Sequence, residues 1–209
     1  LGDVEDALAE VEKHLSERDA VREQALQLGR EVVRRSGRSI TYFLSGRFKE
    51  SRAELGETRR LTRRLLELLK PYPDLYYSGS TYNAVSEYVE AELLHSIVLE
   101  DRLPGPAELE VPIPPYLQGL GDVVGELRRL CLEKIRRGRL EEAWSLLERM
   151  EAIYLGLRRL DYPDALMPGV RHKADVARRL VDDTKALLLA VSRQRELEEN
   201  MARLLERLK

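Results

Sequence analysis

Proline-bearing breaks at Pro71-Pro73, within 103–115 and within 162–169 divide this chain into long uninterrupted runs, and that spacing most constrains its fold. Proline stops a helix because it lacks an N–H and its ring clashes with the preceding turn. Five of the nine prolines fall within 103–115, which reads as a connector with an extended stretch at 109–113. The runs between predict helices over 4–44 (bent near Ser36-Gly37), 47–69, 81–99 with Ser80 or Thr81 as its cap, 116–137 ending at Gly138, 140–160 and 172–208. With 43% apolar but only 6% aromatic residues, the composition is that of an all-α protein. About six long helices with short connectors fold as an antiparallel bundle, read here as one domain over 1–209. Their broad apolar arcs exceed what one small bundle covers, which predicts a homo-oligomer.

Several function classes fall away at once. A net charge of −2 predicts no general attraction to polyanions, so any nucleic-acid surface must come from local clustering. No stretch approaches the roughly 18 apolar residues that span a membrane, and the first ten residues are acidic rather than a basic leader, so the chain reads as cytoplasmic. The single Cys131 sits on an apolar helical arc and reads as a buried thiol, which fits a reducing compartment. Neither a glycine-rich phosphate loop nor a hydrolase serine motif is present. Glu92 and His95 have the Glu-x-x-His spacing of di-iron bundles, but such bundles need two copies, and the other histidines follow Val11 and Gly169 at that spacing.

Two acidic pairs carry the most chemical content. Glu87 and Glu90 lie about 60° apart on a helix and share an arc with Ala91, Leu94, Ile97 and Val98. Asp122 and Glu126 lie about 40° apart, at the shoulder of an arc formed by Tyr116, Val123, Leu127 and Leu130. Acids on an inward arc are costly unless paired. If the two helices meet, four carboxylates repel one another unless a cation holds them, and oxygen-only ligands suit Mg²⁺ or Mn²⁺. A solvated acidic surface is the competing reading. Glu133 continues the second line and reads as peripheral. Gly119, Gly121 and Gly125 at the start of the same helix predict close approach by another backbone or a ligand.

Arginines supply the second pattern. Arg30, Arg34 and Arg38 repeat at four-residue spacing, while Arg52, Arg59 and Arg63 line the face opposite Leu61, Leu65, Leu68 and Leu69. These positions suit phosphate contact rather than duplex sequence reading; a solvated face with internal ion pairs is the alternative.

The segments Glu87-Tyr88-Val89-Glu90-Ala91, Tyr116-Leu117-Gln118-Gly119 and Asp122-Val123-Val124-Gly125-Glu126-Leu127 resemble the translin superfamily. Within it they are most similar to translin-associated factor X (Trax), the catalytic branch. Gly29-Arg30-Glu31 and Ser36-Gly37-Arg38-Ser39-Ile40 are similar to the family's first-helix pattern. The resemblance implies an all-α fold assembling into a hollow oligomer, often an octamer, that encloses short RNA. It also implies a Mg²⁺-dependent endoribonuclease, with acids matching Glu87, Glu90, Asp122 and Glu126. The translin branch binds single-stranded DNA or RNA without cutting it and lacks the full acid set. The short 103–115 connector departs from the eukaryotic pattern and leaves both self-assembly and a translin-like partner subunit open.

Overall fold

A computed structural model describes residues 2–208 and forms seven α-helices and no strand among them. Their order is α1 (Gly2–Leu44), α2 (Phe48–Leu69), α3 (Pro73–Tyr76), α4 (Gly79–Glu100), α5 (Ile113–Arg136), α6 (Leu140–Arg158) and α7 (Val170–Arg207). Six long helices stand where the sequence places them, and α3 is a single extra turn started by Pro73. None of the described helices is long and apolar enough to cross a membrane. The chain divides into two compact units, Leu1–Gly119 and Leu120–Lys209.

In the first unit α1 packs on α2 and α4, and α2 also packs on α4. Gly46, at φ 78°, closes α1: the Arg47 N–H donates to the Tyr42 carbonyl and the Gly46 N–H to that of Phe43. That pair of bonds satisfies carbonyls left open at a helix end and turns the chain straight into α2. α4 is the central helix of the unit, with thirteen buried residues from Thr81 to Ile97. Its cap is Ser78, whose hydroxyl accepts from the Thr81 N–H, rather than Ser80 or Thr81. The segment before α5 also differs from expectation. Residues 105–111 coil through turn bonds such as Leu109 N–H to the Gly105 carbonyl, with no extended pairing. α5 then begins at Ile113, three residues early, because Pro114 and Pro115 fit the first turn of a helix, where no N–H is needed.

The second unit repeats the turn device. Gly138, at φ 71°, ends α5 through Arg139 N–H to the Lys134 carbonyl and Gly138 N–H to that of Ile135. α6 packs on α7 through a core of Ala143, Leu147, Met150, Ala177, Val181 and Leu188. Cys131 is buried as expected, its thiol reaching the Ala143 carbonyl at 3.4 Å, and burial pushes its pKa up.

Candidate functional site

Each acidic pair can be built from its own unit. In the first, Glu87 and Glu90 are half-buried on α4, between the buried Ser86, Tyr88, Val89 and Ala91. The apolar arc they share is indeed inward: Ala91, Leu94 and Ile97 are buried and Val98 half-buried. Gly119 belongs to this environment, since a Cβ there would stand 2.6 Å from the Ser86 carbonyl oxygen and 2.8 Å from the Val89 side chain. Only glycine fits so close to the acidic turn of α4.

In the second unit Asp122 and Glu126 lie on α5, each half-buried. Asp122 accepts from the Lys173 ammonium at 2.5 Å. Gly121 permits that approach, because a Cβ on it would meet the Lys173 Cβ at 2.7 Å. The close approach expected at Gly121 is therefore real, whereas Gly125 has open space around its Cα. Glu126 is the more enclosed acid, its side chain only 16% exposed, and both its oxygens face the outward Arg129 at 3.1–3.2 Å. Among the described residues no group of three or more His, Cys, Asp or Glu side chains is placed to hold a metal ion. Within its own unit, the second pair is already neutralised by Lys173 and Arg129.

The predicted arginines separate into two kinds. Arg30, Arg34 and Arg38 project from α1 with side chains 45–66% exposed, and their partners are Glu23, Glu31 and Glu54. Arg63 likewise meets an exposed Glu110 at 2.9 Å. Exposed pairs such as Arg30–Glu23 and Arg34–Glu31 contribute only about 0–1 kcal/mol, so a phosphate oxygen can displace those carboxylates at small cost, whereas the Glu54 that Arg38 meets is only 12% exposed. Arg59 differs. Its Nε and one terminal nitrogen donate to the two oxygens of Glu92 at 2.8 and 2.9 Å, and Glu92 is almost wholly buried. Glu92 in turn holds the Arg59 guanidinium well above its ordinary pKa. Arg59 therefore clamps α2 to α4, with its fork turned inward. The two residues border a cleft of about 1030 Å³ in the first unit, lined also by Arg52, Arg63, Tyr77 and Glu110.

A buried hydroxyl–imidazole cluster escaped the sequence reading. His95 Nε2 lies 2.7 Å from the Ser51 hydroxyl and 3.3 Å from that of Ser39, and the Ser51 hydroxyl donates to the Ser39 carbonyl at 2.6 Å. Burial, reinforced by the positive Arg52, pushes the His95 pKa down to about 4, so the ring is neutral at physiological pH. The signal lay in the Glu-x-x-His spacing itself: Glu92 and His95 do face inward, but toward Arg59 and serines rather than a metal.

Comparison with known proteins places this architecture. The Translin family model matches residues 24–191, most of the chain. The chain belongs to the Translin family. An uncharacterised protein of Methanocaldococcus jannaschii is 29% identical over 195 residues, covering 91% of this chain and 85% of that protein. A chain of AfC3PO solved in complex with duplex RNA is 33% identical, with a TM-score of 0.84 over 90% of this chain and 98% of that one. The AfC3PO crystal structure matches at the same identity and coverage with a TM-score of 0.83. The Translin family match covers all six predicted arginines and all four acids.

Proposed function

We propose that this chain binds RNA along the α1 arginines Arg30, Arg34 and Arg38, and that Glu87, Glu90, Asp122 and Glu126 serve Mg²⁺- or Mn²⁺-dependent endoribonuclease cleavage. The observation that carries the RNA reading is the likeness, at 33% identity over nine-tenths of the chain, to AfC3PO solved with duplex RNA. Physical support comes from the arginines. Phosphate binding needs cations whose present partners are cheap to leave; Arg30 and Arg34 satisfy that condition, Arg38 less fully because Glu54 is largely enclosed, and Arg59 not at all.

The nuclease reading rests on donor chemistry. Four carboxylates offer the hard oxygen donors that Mg²⁺ prefers, and Glu126 is an enclosed acid whose partner Arg129 is exposed. A bound divalent ion supplies charge neutralisation at phosphate and a water of lowered pKa. Asp122 would have to exchange its Lys173 ion pair for the metal, which makes metal affinity sensitive to Lys173. That same ion pair favours a second reading, a translin-type binder of single-stranded RNA or DNA without cleavage. Assembly into an octameric shell, by this chain alone or with a translin-like subunit, and a cytoplasmic location complete the proposal; the lone buried Cys131 supports the latter.

Labelled single-stranded and duplex RNA, incubated with Mg²⁺ or with EDTA, tests both readings. Cleavage that needs Mg²⁺ and disappears in Glu126→Gln and Asp122→Asn supports the nuclease. Tight binding with no cleavage in Mg²⁺ or Mn²⁺ selects the binding-only reading, and no affinity for either RNA removes both.

A further inference from the structure

Two helix ends carry matched apolar stripes that the folded chain leaves uncovered. On α1, Val4, Leu8, Val11 and Leu15 are each 52–60% exposed; on α7 and its C-cap, Leu197, Met201, Leu204 and Leu208 are each 59–83% exposed. Both sets advance by four, three and four residues, which keeps each within about 60° of a helix face, the seam spacing of a left-handed coiled coil. The α1 stripe ends at Arg18, which turns aside to Asp74, so it is bounded at two heptads. Isolated exposed leucines are ordinary, but two continuous seams of equal length are the pattern of an interface.

Charge selects the occupant. Residues 2–20 of α1 hold seven acids against two cations, while residues 193–208 of α7 hold four of each. With Leu8 and Met201 both at position a, Glu5, Glu12 and Asp19 occupy the e positions flanking the α1 seam, and Arg193, Asn200 and Arg207 the g positions flanking the α7 seam. In a parallel pair each g residue meets the e residue of the next heptad. Arg193 then meets Glu5, Asn200 meets Glu12 and Arg207 meets Asp19. Two copies of the α1 end offer Ala7 and His14 to those acids and gain no opposite charge, and an antiparallel α1 pair sets acids against acids. Pairing α7 with itself gains Arg193 against Glu198 but leaves the α1 seam wet.

We infer that the α1 end of one copy forms a short parallel coiled coil with the α7 end of a second copy. Such a contact joins one surface to a different one, so two copies can exchange it reciprocally in a dimer, or repetition can build a ring where the rotation closes. The inference deepens the proposed assembly and is independent of RNA binding or cleavage.

Cysteine crosslinking of the full chain tests it. Leu8→Cys and Met201→Cys proteins, mixed at equal concentration under mild oxidation, should yield the mixed Leu8–Met201 disulfide as the main product. Glu5→Arg and Arg193→Glu should each weaken self-association by about tenfold in sedimentation velocity, with recovery when the two variants are mixed, since attraction at the e and g positions is restored. Leu8→Lys should lower the assembled mass; circular dichroism checks that it remains helical, as an exposed position permits. Leu8–Leu8 or Met201–Met201 disulfides without the mixed product, no recovery on mixing, or a wild-type chain that is monomeric at tens of micromolar would each overturn the inference.

Discussion

The two units solve the same packing problem with different chemistry. In the first, the apolar contacts of α1, α2 and α4 are joined by buried interhelical polar bonds of Ser39, Ser51, Glu92 and His95. In the second, α6 meets α7 through alanine, valine, leucine and methionine, with Thr184 as its one buried polar side chain among those described. Apolar contact stabilises in proportion to area and tolerates sliding, whereas a buried polar group is costly unless a particular partner is in place. The first unit therefore trades tolerance for a fixed register, and it is the unit whose α1 carries the proposed phosphate-binding arginines. The Ser39 hydroxyl of α1 donates to the Ser51 carbonyl of α2 and the Ser51 hydroxyl to the Ser39 carbonyl, which holds Arg34 and Arg38 of the same helix at a set height relative to α2.

Substitutions can break this contrast. The largest effect should come from the apolar core of the second unit. Leu147→Ala should cost about 2–5 kcal/mol in urea unfolding, equally at pH 5 and pH 7, because it removes buried hydrocarbon and titrates nothing. Arg59→Met should cost about 2–3 kcal/mol, somewhat below the ~3–5 of a wholly buried pair because Arg59 is over half exposed. Adding Glu92→Leu should restore much of that loss, since the charge left unpaired is then gone. If Arg59→Met is neutral, the guanidinium is surface charge and not a clamp.

Acid should separate the units next. His95 has its folded pKa lowered to about 4, below the ordinary value of 6.5, so the unfolded chain binds the proton more readily. Its contribution is complete above about pH 6.5, declines as pH falls, and is lost by about pH 4, a total of order 2–3 kcal/mol. Hydrogen exchange at pH 5 should show α2 and α4 opening more readily than at pH 7, with α6 and α7 far less changed. Protection that falls uniformly across both units would remove His95 as the cause. The smallest effect, about 1–2 kcal/mol, is expected for Ser51→Ala, which leaves His95 Nε2 and the Ser39 hydroxyl short of a partner.

The fold was legible because its breaks are written in proline and glycine. Gly138 and the 103–115 prolines mark real boundaries, and α5 gained residues only because Pro114 and Pro115 suit a first helical turn. What escaped was partnership. Helical spacing shows that Glu92 and His95 lie apart from Glu87 and Glu90, but not that Arg59, 33 residues earlier, reaches across to Glu92. Likewise Asp122 reads as a free ligand until Lys173, 51 residues later, is brought to it past Gly121. A stripe of arginines looks uniform in sequence; the burial of the partner carboxylate sets Arg59, and to a lesser degree Arg38, apart from Arg30 and Arg34.

That distinction gives the most direct test of the central claim, that α1 presents phosphate-binding arginines while Arg59 holds the fold. RNA affinity should be measured across a salt series for the wild type and for the Arg30→Gln, Arg34→Gln, Arg38→Gln triple variant. Expected are a stability loss of at most about 1–2 kcal/mol, chiefly from Arg38 leaving Glu54 to Arg35, markedly weaker binding, and a log–log salt slope reduced by about 2–3, one phosphate contact per lost arginine. An unaltered affinity and slope in the folded triple variant would contradict that claim.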